Sequence, residues 1–307
     1  MSFNDRDGFI WMDGEFVDWR EAKIHVLTHT LHYGVGVFEG VRAYATDQGP
    51  AIFRLHRHTE RILQSAKIMG MKIPFTAEQI SQAQVDVVAK NELASAYIRP
   101  MAFYGSEAMG LHAKGLKVHL SVAAWEWGTY LGEDALENGI RVKTSSFSRH
   151  HVNSAMAKAK TNGNYTNSIM ALQEAENAGY DEALMLDTNG YVAEGTGENI
   201  FIVRRGKVYT PSLTSALEGI TRDTIAEILA NDMGMQLVEK QITRDEVYTA
   251  DEAFFTGTAA EVTPIKSLDD REIGDGTSGP ITREIQQRYF DLVNGRNPDR
   301  LDWLTFV

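Results

Sequence analysis

At 307 residues the chain has room for two domains of ordinary size, and its 43% hydrophobic and 23% charged shares are those of a globular protein. A formal net charge of −12 argues against a nucleic-acid partner, and no apolar run approaches the length needed to span a bilayer. The lack of cysteine excludes disulfides and thiolate chemistry, and Met1-Ser2-Phe3-Asn4-Asp5-Arg6-Asp7 lacks a signal-peptide pattern, so a cytoplasmic protein with no membrane partner is expected.

Along the chain, Phe9-Ile10-Trp11-Met12, then Asp13-Gly14, then Glu15-Phe16-Val17-Asp18-Trp19 predicts a hairpin, because Asp-Gly suits the positive φ angles of a type I′ turn. Leu55, Ile62, Ala66 and Met69 recur with helical periodicity up to Gly70. Thr76-Ala77-Glu78-Gln79 is a capping box that opens a second helix reaching about Asn91. Ala96 to Tyr104 and Lys117 to Ala124 are rich in β-branched and aromatic residues and predict strands. Glycines at 128, 132 and 139 interrupt the chain, which sets the expected division: a small domain over 1–126, a connection over 127–139 and a larger domain over 140–307.

In the second part a helix is expected over Asn164 to Ala178, closed by Gly179. Asn189-Gly190 and Arg205-Gly206 mark two hairpins, so antiparallel sheet should dominate. Further helices are expected over Thr221 to Met233, from the capping box Thr243-Arg244-Asp245-Glu246, and over Pro280 to Val293. Strands and helices do not alternate as βαβ units would, which gives an α+β class.

Chemistry centres on Ala157-Lys158-Ala159-Lys160-Thr161-Asn162-Gly163-Asn164-Tyr165. Lys158 and Lys160 stand two apart among small residues, so in an extended segment both would point to one face. A lysine withdrawn from water can act as an amine nucleophile towards a carbonyl, although a surface lysine pair is the plainer alternative. Three later segments add context. Glu194-Gly195-Thr196-Gly197-Glu198-Asn199 sets a carboxylate beside glycines that admit close backbone approach. It has no third glycine and no following helix, so it is not a dinucleotide motif. Gly219-Ile220-Thr221-Arg222 at a helix start offers free amides and a hydroxyl to an anion, or is simple capping. Phe255-Thr256-Gly257-Thr258-Ala259-Ala260-Glu261 is a second turn of that kind. An amine, an acid for a heterocyclic nitrogen and two anion-binding turns fit pyridoxal 5'-phosphate, and no Walker-type loop is present.

With His32-Tyr33-Gly34-Val35-Gly36-Val37-Phe38-Glu39-Gly40-Val41-Arg42 and Ala96-Tyr97-Ile98-Arg99-Pro100, these motifs stand in an order that resembles the branched-chain amino-acid aminotransferases, class IV enzymes of fold type IV. The resemblance runs from about Ile10 to the last helix and implies a small N-terminal α/β domain and a larger C-terminal pseudo-barrel domain. It implies that Lys160 binds the cofactor and shuttles the proton, that Glu194 faces the pyridine nitrogen and that Tyr165 meets the phenolic oxygen. Arg61, Ile220, Thr221 and Thr258 would hold the phosphate, while Lys158 falls back to support or solvent. Without the resemblance, Arg57 is as good a candidate as Arg61.

For substrate, the resemblance implies Tyr97 with the amides of Thr258 and Ala259 at the α-carboxylate. Tyr33, Phe38, Trp127 and Tyr130 would line the side-chain pocket, with Arg99 and Tyr33 on the distal carboxylate of glutamate. Core packing is the plainer fate of those aromatics. Met109-Gly110-Leu111-His112 occupies the place of a loop that closes a neighbouring subunit's pocket, which implies a homodimer or higher homo-oligomer. No metal is expected: His29, His32, His56 and His58 read as capping or surface residues. The expected reaction moves the amino group of leucine, isoleucine or valine to 2-oxoglutarate. Alternatives on the same scaffold are a D-amino-acid or (R)-amine transaminase, an aminodeoxychorismate lyase, or a non-catalytic protein that stores the cofactor.

Overall fold

In the computed structural model, which describes residues 2–128 and 132–307, the chain divides into two units. The first holds residues 2–127, Ala159–Gly163 and Val293–Val307. Its eight-stranded antiparallel sheet runs in the order Leu304–Phe306, Gly49–Phe53, Val41–Thr46, Ala96–Tyr104, Val118–Trp125, Phe9–Met12 and Glu15–Asp18, with Gly36–Phe38 added beside Ala96–Tyr104. The Asp13-Gly14 turn has φ of 53° and 104°, the positive pair that the hairpin requires.

Two helices lay their apolar sides on this sheet, Leu55–Ile68 and Ala77–Lys90. The second is opened by a complete Thr76/Gln79 capping box. Along the first, the buried positions Leu55, His58, Arg61, Ile62 and Ser65 recur every three or four residues, so its inner face carries charge as well as hydrocarbon. Ile62 and Ile80 join Val41, Ile52, Ile98 and Leu120 in one core.

Two segments differ from the expected division, which assigned everything after residue 139 to the larger domain. Ala159–Gly163 belongs to the first unit because its backbone is stitched to Gly34–Phe38: the amide of Phe38 donates to Lys160 O at 3.1 Å, and the amides of Asn162 and Gly163 donate to Gly36 O and Gly34 O at 3.0 and 3.1 Å. Val293–Val307 belongs there because Leu304–Phe306 pairs with Gly49–Phe53 at the sheet edge. Among the described residues the strand pairings of the first unit are all antiparallel.

The second unit is built on a nine-stranded sheet in the order Val192–Glu194, Glu182–Leu186, Ile140–Thr144, Glu261–Leu268, Glu252–Gly257, Asn199–Arg204, Lys207–Pro211 and Leu237–Lys240, with Arg271–Glu272 beside Glu261–Leu268. Antiparallel pairs prevail. Ile140–Thr144 nevertheless runs parallel to both neighbours, and Lys207–Pro211 runs parallel to Leu237–Lys240. The expected helix over Thr221 to Met233 is α-helical only over Ile220–Glu227 and continues as a π-helical turn over Ile228–Asp232, which keeps Ile228 and Leu229 buried. Helices Tyr165–Asn177, Arg244–Tyr248 and Pro280–Val293 form where the caps and periodicity place them. In the sheet Phe201 and Phe254 are cross-strand partners, fully buried and stacked at 5.0 Å. Phe254→Ala is expected to lower the unfolding free energy by about 3–5 kcal/mol, read as a drop in urea midpoint without loss of far-UV signal.

Candidate active site

Each unit carries its own set of candidate residues. In the first, the residues leading to Lys160 form a turn and bend at 157–159 rather than the extended segment expected, so Lys158 and Lys160 do not share a strand face. Lys160 is fixed by its backbone: its amide donates to Ser65 Oγ at 3.0 Å and its carbonyl accepts from Phe38. Its Nζ stands 5.2 Å from the centre of the Phe38 ring. Arg99 lies over the same ring at 4.9 Å and over Tyr97 at 5.2 Å, and its Nη2 donates to the Tyr97 hydroxyl at 3.1 Å. Tyr97 meets Trp127 edge-on at 4.5 Å. The first unit thus gathers Phe38, Tyr97, Arg99, Trp127 and Lys160 in one connected cluster.

The glycine at 40 is required here, because a Cβ at that position would collide with the Tyr97 hydroxyl. Arg99 Nε is buried without a hydrogen-bond partner among the described residues. An orphaned guanidinium N–H beside apolar rings is a place for a ligand carboxylate. Tyr33 is not joined to the cluster by these contacts; its ring lies tilted against His29 at 4.5 Å and its hydroxyl accepts from the Gly110 amide at 3.1 Å. Tyr130 lies outside the described residues.

Arg61 is no solvated helix charge. Its Nε and Nη2 grip Glu39 Oε1 and Oε2 at 2.6 and 2.9 Å, and Glu39 has no exposed surface. His58 Nδ1 donates to Glu39 Oε2 at 2.7 Å, a tautomer assigned from that partner. Burial pushes the Glu39 carboxyl up, but the Arg61 charge and the His58 contact outweigh it and hold the carboxyl far below its ordinary value. Burial also pushes His58 down against the pull of Glu39, so the pair is a neutral imidazole on a carboxylate rather than an ion pair. Arg57, by contrast, is exposed and pairs with Glu60. The expectation of surface histidines fails for His58 and for His29, both 2% exposed, because each turns a ring nitrogen to an internal acceptor, Glu39 in one case and Gly110 O in the other. His32 and His56 are exposed.

In the second unit Glu194 ends the strand Val192–Glu194 and is buried. Arg149 Nη2 lies 2.8 Å from its Oε1, and the Leu217 amide donates to its Oε2 at 3.1 Å. Arg149 is itself buried, and no motif in the sequence announced it: its signal was one arginine before His150-His151, 45 residues from the acid it meets. Close by in sequence, Glu182 and Glu198 form a buried acid pair. Burial first, and then Glu198, raise the Glu182 carboxyl well above its ordinary value, while Thr196 Oγ1 donates to it at 3.0 Å.

The helix Ile220–Glu227 begins at Gly219 with no side-chain cap, so the amides at Ile220 and Thr221 face no built-in acceptor from the cap residue. Thr258 and Ala259 stand half-buried in the turn between Glu252–Gly257 and Glu261–Leu268. Tyr165 is the half-buried first residue of Tyr165–Asn177. An amine, a buried acid paired with an arginine and an uncapped helix start fit a phosphorylated pyridine aldehyde.

Comparison with known proteins agrees. The sequence profile of the family described as amino-transferase class IV matches residues 36–268. A branched-chain-amino-acid aminotransferase of Pseudomonas aeruginosa is 62% identical over 307 residues, covering 100% of both chains. A T.th. branched-chain amino acid aminotransferase, solved with pyridoxamine 5'-phosphate, superposes with a TM-score of 0.95 at 50% identity over 98% of this chain and 99% of that one. The same enzyme complexed with N-(5'-phosphopyridoxyl)-L-glutamate and with 4-methylvaleric acid gives 0.94 in each case, at 49% and 48% identity and the same coverage.

The Glu39 cluster has a definite pH signature. A carboxyl held low in the fold stabilises above its unfolded value of 4.5 and loses that contribution as pH falls; His58, also lowered from 6.5, acts in the same direction. Glu39→Gln leaves Arg61 buried without its anion, an expected cost of about 3–5 kcal/mol at neutral pH. Thermal melts from pH 7 to 3 should then show a lower and flatter profile for the variant than for the parent protein.

Proposed function

The chain belongs to the class IV aminotransferases, and from that premise we propose that it transfers the amino group of L-leucine, L-isoleucine or L-valine to 2-oxoglutarate, using pyridoxal 5'-phosphate. The carrying observation is the cluster beside Lys160: ring faces of Phe38, Tyr97 and Trp127 next to a guanidinium with an unmet buried N–H, Arg99. Aliphatic side chains favour the rings through the hydrophobic effect, whereas the distal carboxylate of glutamate favours the guanidinium. One wall can therefore serve both half-reactions. The likeness to the T.th. enzyme, solved with a glutamate derivative and with 4-methylvaleric acid, supports this reading.

When bound, the cofactor supplies an aldehyde that takes up the amino group and a ring that draws electron density from Cα, so the amino group is stored between two half-reactions. Lys160 Nζ would hold that aldehyde and would serve as the base and acid that carries the substrate's Cα proton. Glu194, oriented by Arg149, accepts the N–H of the ring nitrogen. Tyr165 donates to the phenolic oxygen. Arg61, the amides and hydroxyl at Ile220 and Thr221, and Thr258 hold the phosphate. Tyr97 with the amides of Thr258 and Ala259 would hold the α-carboxylate, and Arg99 with Tyr33 would take the distal carboxylate of glutamate.

We propose a homodimer as well. Ile24, Val26, Leu27, Leu31, Met109 and Leu111 are all exposed large apolar residues of the first unit, with Leu111 at 88%. His29 and Tyr33 tie the loop at Gly110 to the helix His29–Tyr33, so part of this set forms one patch, as interfaces do. Leu111→Asp is expected to shift the protein towards monomer in sedimentation velocity; an unchanged dimer would place the interface elsewhere.

Borohydride reduction of the cofactor-loaded protein followed by peptide mapping should label Lys160, and Lys160→Ala should have no measurable transamination. L-Leucine should react where D-alanine and (R)-1-phenylethylamine do not. Arg99→Leu should raise the KM for 2-oxoglutarate by about ten- to a hundredfold, the range of a lost charged hydrogen bond, with little change for leucine. Equal losses for both substrates would defeat the shared-wall reading.

A further inference from the structure

Lys158 has no role in the chemistry above, yet its side chain is among the most fully engaged lysines of the second unit. Its Nζ donates to the carbonyl oxygens of Leu213 and Ala216, the latter at 3.0 Å, and stands 3.6 Å from Glu218 Oε1. Two carbonyl oxygens of one turn thus take N–H donors of the ammonium, and Glu218 of the same turn stands by as its counter-charge. Burial pushes this ammonium below its ordinary value, while Glu218 and the more distant Glu194 pull it back. A half-buried lysine ordering its whole stem to reach backbone carbonyls loses rotamer freedom, so the contact has a structural consequence to find.

The turn it grips leads straight to Glu194. The Leu217 amide donates to Glu194 Oε2 at 3.1 Å, and the Leu217 carbonyl accepts from Asn199 Nδ2 at 3.0 Å. That same Nδ2 lies 3.5 Å from Glu194 Oε2. Gly219 follows at once, so close to Asn199 that a Cβ there would strike its Oδ1, and begins Ile220–Glu227. Arg149 fixes Oε1 of the acid from its other side. One oxygen of Glu194 is thus held by a cation and the other by the turn that Lys158 holds.

We propose that Lys158 is a positioning residue: it latches the 213–218 turn, and through the Leu217 amide it sets the orientation of the Glu194 carboxylate and the start of helix Ile220–Glu227. The inference rests on the reading of Glu194 as the acid that meets the cofactor's ring nitrogen. It gives the two lysines of the Ala-Lys-Ala-Lys segment separate duties, Lys160 as the reacting amine and Lys158 as the brace for the acid.

The test uses the cofactor-loaded protein and its Lys158→Met, Lys158→Arg and Glu194→Gln variants, with Lys158→Gln in reserve should the methionine variant fold poorly. Hydrogen exchange is followed at residues 213–221, and release of pyridoxal 5'-phosphate is followed by its absorbance. Lys158→Met should speed exchange in that segment by about tenfold, with the rest of the second unit unchanged. It should speed cofactor release about five- to tenfold, while Lys158→Arg, which can still donate to both carbonyls, stays near the parent. A residue acting through Glu194 adds nothing once that acid is gone, so the Lys158→Met/Glu194→Gln double variant should release cofactor no faster than Glu194→Gln alone. Fully additive effects, or normal release from Lys158→Met beside rapid release from Glu194→Gln, overturn the latch and leave the ring-acid reading standing. Normal release and an unshifted cofactor spectrum in Glu194→Gln overturn the ring-acid reading and the latch with it.

Discussion

A carboxylate withdrawn from water must be answered by a cation or give up its charge, and this fold uses the first solution twice. Glu39 is gripped by Arg61 in a two-pronged pair, and Glu194 is met by Arg149. Desolvating both partners costs several kcal/mol per ion before their attraction is counted, so neither pair is an evident source of stability. What each does supply is a fixed direction. A planar guanidinium set against a planar carboxylate leaves little freedom to either group, and in each unit one member is a residue proposed to hold the cofactor. The proposed ligands are thereby oriented before anything binds.

That constraint explains why so much of the surrounding backbone is specialised. Glu39 sits between Phe38, whose amide takes the Lys160 carbonyl, and Gly40, whose missing side chain admits the Tyr97 hydroxyl. Three successive residues thus serve the lysine, the arginine and the aromatic wall. On the other unit, Glu194 draws on Arg149, Leu217 and Asn199 from three separate stretches of chain. Lys160 itself is held through its main chain at both amide and carbonyl.

Local signals were legible and distant ones were not, for a physical reason. The capping boxes at Thr76 and Thr243, the Asp13-Gly14 and Asn189-Gly190 turns and the helix Pro280–Val293 depend on residues within a few positions of each other. Sequence spacing reports such contacts directly. The periodicity of Leu55–Ile68 is legible in the same way, since positions 58, 61, 62 and 65 share the buried face and separate Arg61 from Arg57. By contrast, the transfer of Ala159–Gly163 and Val293–Val307 to the first unit depends on pairings with Gly34–Phe38 and Gly49–Phe53. Those partners lie more than a hundred residues away, and nothing in the local pattern names them. Arg149 and the oxygens that receive Lys158 were hidden for the same cause. The aromatic cluster was legible only through resemblance, since rings at core spacing read equally well as packing.

The buried acids also set opposite slopes on the pH axis. Glu39 and His58 bind protons more weakly in the fold than in the unfolded chain, so stability falls as pH drops below 6.5 and again below 4.5. Glu182 does the reverse. Its carboxyl is raised by burial and by Glu198, so its contribution is whole below 4.5 and is lost as pH rises through its folded value. The two units therefore respond to pH with opposite sign, the first through Glu39 and the second through Glu182. The loop from Glu194 to Glu198 lies beside Glu182, through Thr196 and its hydrogen bond to that acid. Ionising Glu182 sets a second negative charge against Glu198 at one end of that loop, while the ion pair with Arg149 still anchors Glu194 at the other. Loss of order on ionising Glu182 should accordingly begin at the Thr196–Glu198 end and reach Glu194 last.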